Sequence, residues 1–267
     1  MKPSPRLVLA EPDGPETTVL TLNRPDKRNA LCIALLEELV AAVAAAAKNP
    51  AQRILIVRGA GPAFCAGLDL AEASDATRGR RSAELVARSL LALSASRLVT
   101  IAVVHGAAVA GGAGLVSACD MAVAAVDARI GYPETRRGLV AGLVMTLLRR
   151  QIRERDAREI LLTGELFSAE RAHEIGLVNR VAPTAEAAFA EARRLADAVL
   201  RGGPGAVSRT KALLGGLWHR PLRADLDRAL RAHLEARNSA EAAEGIAAYL
   251  EKRPPKWAPG PAPQRLA

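Results

Sequence analysis

Aromatic side chains, cysteines and histidines are scarce in this sequence of 267 residues. Phe, Trp and Tyr together make up 3% of the chain, beside three cysteines and four histidines. So few aromatic rings leave little for nucleic-acid bases to stack on, which argues against a nucleic-acid binder. No cysteine stands in a C-x-x-C pair and the histidines lack metal-ligand spacing. We therefore predict no metal site, and buried free thiols in a reducing compartment at Cys32, Cys65 and Cys119.

Long apolar runs are also missing. No window reaches the roughly 18 uninterrupted apolar residues of a membrane span, and the apolar run near residue 8 is too short for a secretory signal. We expect a cytoplasmic protein with no membrane association. Half of the residues are hydrophobic, which is enough for one sizeable core.

Acidic residues are outnumbered by basic ones, 28 against 37, which gives a net charge of +9. An excess of this kind calls for anionic partners. The arginines are scattered through helical segments, which is typical of a solvated surface, and a nucleotide-bearing thioester is the next interpretation. We expect no DNA partner, and RNA remains an alternative that the few aromatics disfavour.

Short β-branched runs alternate with longer helical periods, and this pattern predicts an α/β fold with mostly parallel strands. Apolar residues recur at i, i+3, i+4 and i+7 in the two predicted helices. The predicted strands are 17–23, 53–59, 99–106 and 121–125, and the helices between them are 33–49 and 82–96. The segment 71–81 reads as a mobile loop.

From residue 184 onward the sequence reads as helical. We predict a core over 1–202, a helical region over 203–267, and a disordered tail after about 257. Asn238 with Glu241 resembles a capping box. Helices with apolar faces and no sheet of their own must bury those faces elsewhere, so we expect a homo-oligomer. The predicted helices are 185–200, 206–214, 222–236 and 240–250.

The stretch AGGAGLVSACD, residues 110–120, places glycines at 111, 112 and 114 after a predicted strand. A dinucleotide fingerprint fits poorly, because its third glycine is missing and the strand lies in mid-chain. A second interpretation puts Gly111 and Gly112 in the first turn of a helix, where free N–H groups could stabilise an oxyanion. A third is that the glycines only allow close helix packing. Two donors would require a second glycine-containing turn, and 59–73 supplies one.

Six motifs in register carry a family resemblance. They are LNRPDKRNAL (22–31), AFCAGLDL (63–70), HGAAVAGGAGLVSACDMAVA (105–124), GYPETRRGLVAG (131–142), LLTGELFSAERAHEIGLVNRVAP (161–183) and EGIAAYLEKRPPKW (244–257). Together they resemble the enoyl-CoA hydratase/isomerase, or crotonase, family. The resemblance implies a spiral of ββα units followed by a C-terminal helical oligomerisation region, assembled as a trimer or a hexamer.

By the same resemblance, the protein binds acyl-CoA thioesters and stabilises an enolate with two backbone N–H groups, those of Leu68 and Gly111. Coenzyme A is part of the substrate, so no separate cofactor is expected. Lys256 is a further candidate toward the CoA of a neighbour. The implied substrate and CoA contacts are Lys27, Arg28, Ala30, Ala66, Asp69, Leu70, Gly112 and Pro133.

The resemblance also implies an acid/base residue, Glu134. Hydratases of this family carry a second glutamate, which maps to Gly114 here, and glycine cannot transfer a proton. One glutamate suits either hydration of a 2-enoyl-CoA, including a methylglutaconyl-CoA-like reaction, or an isomerisation that shifts the double bond. We favour the hydratase and keep the isomerase and an inactive CoA- or RNA-binding paralogue as alternatives. Asp69, His105 and Asp120 are expected to be structural.

Overall fold

A computed structural model describes residues 6–69, 72, 76–217, 240, 241, 244, 247, 248, 251 and 253–257. The strands in these ranges are β1 (Val8–Pro12), β2 (Thr17–Leu22), β3 (Ile54–Gly59), β4 (Val99–Val104), β5 (Ala107–Val109), β6 (Met121–Ala125), β7 (Arg129–Gly131), β8 (Leu166–Ser168) and β9 (Arg180–Ala182). The helices are α1 (Ile33–Lys48), α2 (Ala76–Ser94), α3 (Gly111–Ala118), α4 (Gly142–Leu148), α5 (Glu154–Thr163), α6 (Ala169–Glu174), α7 (Ala185–Leu200) and α8 (Pro204–Gly216).

The larger sheet has six strands in the order β1, β2, β3, β4, β6, β9. Only the pair β1 and β2 is antiparallel, and every other neighbouring pair is parallel. The central strand β4 is buried along its whole length, as expected for a parallel strand covered on both faces. The four strands predicted from the sequence are β2, β3, β4 and β6, so the predicted α/β class with mostly parallel strands is confirmed.

A second sheet of three strands, β5, β7 and β8, carries the site. β5 and β7 are parallel, with Val109 opposite Gly131. The two strands therefore end side by side, and the chain leaves both at the same edge of the sheet. Directly after β5 comes α3, which is buried at all eight positions. The predicted helix running from Gly111 toward Ala118 is confirmed.

Helix α1 packs on α2 and on the first strands through one apolar face, formed by Leu35, Leu36, Leu39 and Val43. α2 begins at Ala76, so residues 76–81 are helical and the prediction of a mobile loop over 71–81 is wrong for that part. Two ion pairs accompany this polar first part of α2. Arg80 pairs with Glu84 within the helix, and Arg81 pairs with Glu37 of α1.

The contacts divide the chain into two compact units, 1–193 and 194–267, with the division inside α7. In the second unit, Glu241 accepts hydrogen bonds from the backbone N–H groups of Gly205 (2.7 Å) and Ala206 (2.6 Å). Both carboxylate oxygens thus cap α8, a use that the predicted capping box with Asn238 did not anticipate. Asn238 and the predicted disordered tail after about 257 lie outside the described residues.

Glu244, also in the second unit, pairs with Arg253 at 2.7 Å and accepts from the Lys256 N–H. The Arg253 guanidinium lowers the pKa of Glu244 to about 2. The predicted boundary at 202/203 between core and oligomerisation region stays a prediction. Across the described ranges, no helix combines the length and apolar character that a membrane crossing requires.

Candidate active site

The turn at residues 65–69 is held between two backbone partners. On one side Cys65 pairs with Ala108 of β5, since its N–H donates to Ala107 and its carbonyl accepts from Val109. On the other side Leu31 brackets Leu68: it donates to the Gly67 carbonyl (2.8 Å) and accepts from the Asp69 N–H (3.1 Å). In such parallel pairing, the bracketed residue directs its own N–H away from the partner. The Leu68 N–H therefore points away from Leu31, toward the side on which β5 lies.

β5 ends at Val109, and the chain turns into α3 before it could pair with Leu68. Within the part of the chain that the structure describes, the Leu68 N–H has no hydrogen-bond acceptor. The Gly111 N–H, at the first position of α3, has none there either, as is usual for the first turn of a helix. Two free backbone donors can bind one oxyanion.

Ala110 joins β5 to α3 in an unusual backbone conformation, with φ 51° and ψ −117°. Glycine adopts this region at the first central position of a type II′ turn, and an L-residue there costs on the order of 1–3 kcal/mol. The N–H of Ala110 donates to the Gly131 carbonyl at 2.8 Å, and its carbonyl accepts from the Gly114 N–H at 2.9 Å. Both bonds hold the strained residue in place.

Gly112 allows α3 to touch the 65–69 turn. A Cβ added at Gly112 would lie 2.3 Å from the Cys65 carbonyl oxygen and 2.8 Å from its Cβ. The absence of a side chain at 112 is therefore required by packing between the two turns. The thiol of Cys65 itself is fully buried and donates to the Asn29 carbonyl at 3.1 Å.

Asn29 fixes the segment that brackets the turn, and sequence reasoning missed it. Its side chain is fully buried, donates to the carbonyls of Ala60 (2.9 Å) and Ala63 (2.8 Å), and accepts from the Arg24 N–H (2.8 Å). Its φ of 56° is left-handed, which asparagine tolerates better than most residues. An Asn placed between a Pro-led turn and an apolar run was the available signal.

Glu134 follows the end of β7 at the same edge of the sheet as Gly111. It lies half-buried, and its Oε2 is buried with no hydrogen-bond partner among the described residues. Burial raises the pKa of Glu134, although its own backbone N–H and Arg137 oppose the shift. A buried carboxylate oxygen without a partner favours the neutral form and is a candidate for proton exchange with a bound ligand.

Tyr132 and Ser117 tie this end of β7 to α3. The Tyr132 hydroxyl lies 2.7 Å from Ser117 Oγ and donates to the Ala113 carbonyl at 3.2 Å. Burial raises the pKa of Tyr132, so its hydroxyl stays neutral. These bonds hold the end of β7, two residues before Glu134, to the helix that supplies the Gly111 N–H.

At Gly114 the helix meets a wall of apolar side chains. A Cβ at this position would lie 2.5 Å from Val144 Cγ1 and 3.4 Å from Leu90 Cδ2. The space into which a glutamate would project is filled by α4 and α2. Gly114 is thus a packing residue as well as the place of a missing carboxylate.

Several of the expected CoA contacts lie at or beside the 65–69 turn. Lys27 and Arg28 are exposed, and their side chains have no ion-pair partner among the described residues. The Arg28 carbonyl accepts from the Ala66 N–H at 2.9 Å, so the backbone of Arg28 lies beside the turn. Ala30 and Ala66 are half-buried, and Pro133 is buried ahead of Glu134. Leu70 lies outside the described residues.

The acidic and histidine side chains expected to be structural have structural partners. Asp69 Oδ2 lies 2.7 Å from Arg24 Nη1. Asp120 Oδ2 accepts from the N–H (2.7 Å) and hydroxyl (2.9 Å) of Thr100, and His105 Nε2 contacts the Gly61 carbonyl. Cys32, Cys65 and Cys119 are buried, as predicted, and none of them is in a disulfide. In the ranges that the structure covers, no three His, Cys, Asp or Glu residues are grouped to hold a metal ion.

A family model described as enoyl-CoA hydratase/isomerase matches residues 16–260. The chain belongs to the enoyl-CoA hydratase/isomerase family. The family predicted from the six motifs is therefore confirmed.

Named relatives of this family member match over nearly their whole lengths. The chain is 36% identical to the mevalonyl-coenzyme A hydratase sidH of Aspergillus fumigatus, over 92% of each chain. It is 33% identical to the crotonyl-CoA hydratase of Syntrophomonas wolfei, over 88% of this chain and 92% of that one. The crystal structure of enoyl-CoA hydratase from Bacillus anthracis superimposes with a TM-score of 0.90 at 30% identity, covering 94% and 99% of the two chains. The predicted crotonase-like α/β fold is confirmed.

Proposed function

We propose that this protein is an enoyl-CoA hydratase, a lyase that adds water across the double bond of a 2-enoyl-CoA thioester. The observation that carries the proposal is the Oε2 of Glu134, which is buried at the sheet edge where Gly111 begins α3 and has no hydrogen-bond partner among the residues that the structure describes. Relatives named as crotonyl-CoA and mevalonyl-CoA hydratases support hydration over isomerisation.

In the proposed mechanism, the thioester oxygen binds the N–H groups of Leu68 and Gly111. Glu134 takes a proton from water as the water oxygen bonds to the β-carbon, and the electron pair of the double bond moves toward the thioester oxygen. The resulting enolate is stabilised by the two donors. Glu134 then returns the proton to the α-carbon, which completes the addition of H and OH. One donor of this kind typically contributes about 2.7–4 kcal/mol to transition-state stabilisation.

The CoA moiety is proposed to lie along the 65–69 turn. Lys27 and Arg28 supply positive charge for its phosphates, and the remaining contacts of this proposed subsite are Ala30, Ala66, Asp69, Leu70, Gly112 and Pro133. Lys256 belongs to the second unit, where its Nζ lies 4.0 Å from Glu244, and its role toward a neighbour's CoA is a proposal. No resident cofactor is needed, because the carboxylate and the two amides supply every step.

A homotrimer or a dimer of trimers in the cytoplasm remains our proposal for the assembly. Five large apolar side chains on and around α2 and α4 support an interface between copies, since exposed patches of this kind mark contact surfaces. They are Leu91, Leu139, Val140, Leu143 and Met145, and Val140 is 82% exposed. A groove of about 230 Å³ between the two helices adjoins them. Light scattering that shows a monomer would contradict this part.

The decisive experiment compares Glu134→Gln with wild type on crotonyl-CoA, longer 2-enoyl-CoAs and methylglutaconyl-CoA, followed by loss of enoyl absorbance. We expect kcat to fall by about 10²–10⁴-fold, the usual contribution of a general acid/base. The exposed Glu11 on β1 provides the matched control, and Glu11→Gln should behave as wild type. Equal rates for Glu134→Gln and wild type would refute the assignment.

The isomerase alternative rests on the packing at Gly114, which leaves one carboxylate for proton transfer. It predicts conversion of a 3-enoyl-CoA to the 2-enoyl isomer without hydration. The inactive paralogue predicts CoA-ester or RNA binding without turnover of either substrate, and RNA binding would have to weaken with salt.

A further inference from the structure

Ala110 contacts the chain segments that lead to Leu68, Gly111 and Glu134, through its backbone or its methyl group. It directly precedes Gly111, so its ψ of −117° sets the direction of the Gly111 N–H. Its own N–H donates to Gly131, three residues before Glu134. Its methyl group faces Gly67, because a Cβ added there would lie 3.2 Å from Ala110 Cβ, and Gly67 directly precedes Leu68.

The conformation at Ala110 is costly for an L-residue, yet the surrounding bonds over-determine it. Strain of this kind persists only where neighbouring structure enforces it, and it concentrates at functional sites. Glycine would relieve the strain at this position, but it would also remove the methyl group that separates the two donor turns. It would further allow the Gly111 peptide to rotate, because glycine populates a wider range of backbone angles.

We propose that Ala110 is a positioning residue, whose strained backbone and methyl group fix the Leu68 and Gly111 N–H groups against one thioester oxygen. The inference rests on the proposed function. It goes beyond that proposal because it makes Ala110, which touches no reacting atom, responsible for the distance between the two N–H donors. A misplacement of about 1 Å in such a site can lower the rate by about 10²-fold.

The test is Ala110→Gly, with Ala45→Gly as the matched control on the exposed face of α1. A glycine inside a helix is unfavourable, so Ala45→Gly should melt about 2–4 °C lower and keep its kcat and KM. Ala110→Gly should melt no lower than wild type, because backbone strain is relieved. Its kcat should nevertheless fall by about tenfold or more, with KM changed less than about twofold.

A spectroscopic measurement separates this inference from the proposed function. A chromophoric cinnamoyl-CoA reports polarisation of its thioester carbonyl as a red shift on binding. If wild type binds the probe without a shift, the oxyanion site and with it the proposed function fail. If wild type shifts the probe and Ala110→Gly shifts it less, the inference is supported. Equal shifts and equal kcat in Ala110→Gly and wild type would overturn the inference. It would also be overturned if Ala110→Gly melted lower, as Ala45→Gly does, while kcat per folded molecule stayed unchanged.

Discussion

The packing at Gly114 gives a prediction whose sign opposes ordinary helix propensity. Gly114→Ala would place a methyl carbon 2.5 Å from Val144 Cγ1 and 3.2 Å from Val144 Cβ. Carbon atoms in contact prefer about 3.5–4.0 Å, so α4 must move by about 1 Å. Overpacking of this kind costs about 1–3 kcal/mol, whereas replacing glycine by alanine inside a helix gains about 1 kcal/mol. The expected net effect is a loss of up to about 2 kcal/mol.

Val144→Ala removes the atom responsible for the clash. In that background, Gly114→Ala should stabilise the protein by up to about 1 kcal/mol, so the double-mutant cycle should yield a coupling energy of about 1–3 kcal/mol. Gly215 in α8 is the matched control, since a Cβ there meets nothing within 4 Å. Gly215→Ala should be neutral or stabilising in the same denaturant titrations.

Chemical unfolding of the four variants beside wild type provides the measurement. A Gly114→Ala protein at least as stable as wild type would refute the reasoning, as would a coupling energy near zero. Either result would mean that α4 yields at little cost. A glutamate could then be restored at position 114 without a compensating change at Val144.

Other predictions concern Asn29, which supports the 65–69 turn, the proposed base Glu134, and the cations proposed to bind the CoA phosphates. Asn29→Ala leaves buried carbonyls and the Arg24 N–H without partners at about 1–3 kcal/mol each, so thermal melting should show a loss of at least about 3 kcal/mol. Because burial raises the pKa of Glu134, kcat/KM should fall as the pH drops through a value above the ordinary 4.5; a profile flat through that range would contradict its role as base. The same raised pKa means that the stability contributed by protonated Glu134 is present below its unfolded pKa and is lost as the pH rises through its folded pKa, a trend that a pH series of melts on Glu134→Gln should lack. Replacing Lys27 and Arg28 together by alanine should raise KM for CoA esters about threefold to tenfold with kcat unchanged, and the difference should shrink with added salt; an unchanged KM would remove them from the CoA subsite.

The sequence alone predicted the elements that have long apolar periods. α1 and the strands β2, β3, β4 and β6 follow from local patterning, because each buries a whole face or both faces. The three-residue strands β5, β7 and β8 were missed, since they are too short to show a period. The pairing of β5 with β7 nevertheless brings the segments that lead to Gly111 and Glu134 side by side.

Part of the candidate site was accessible from motifs and part was not. The resemblance pointed to Leu68, Gly111 and Glu134. The Leu68 N–H is left without a strand partner because β5 ends at Val109, some forty residues later in the chain. This depends on tertiary structure, so local sequence patterns could not predict it. The contact between Gly114 and Val144 likewise joins positions thirty residues apart, so the sequence showed a missing carboxylate and could not show what fills its place.

Because Cys65 is buried, the reactivity of its thiol can be used to measure local opening of the candidate site. Burial raises the pKa of this thiol to about 12, so in the closed turn it is both shielded and protonated, and a thiol reagent can react only after the 65–69 ladder separates from β5. The rate of labelling at Cys65, compared with Cys32 and Cys119, would therefore measure how often the 65–69 turn separates from β5 while the rest of the molecule stays folded. Ligands that bridge the two free amides should slow that labelling, which offers a way to detect occupancy without any turnover.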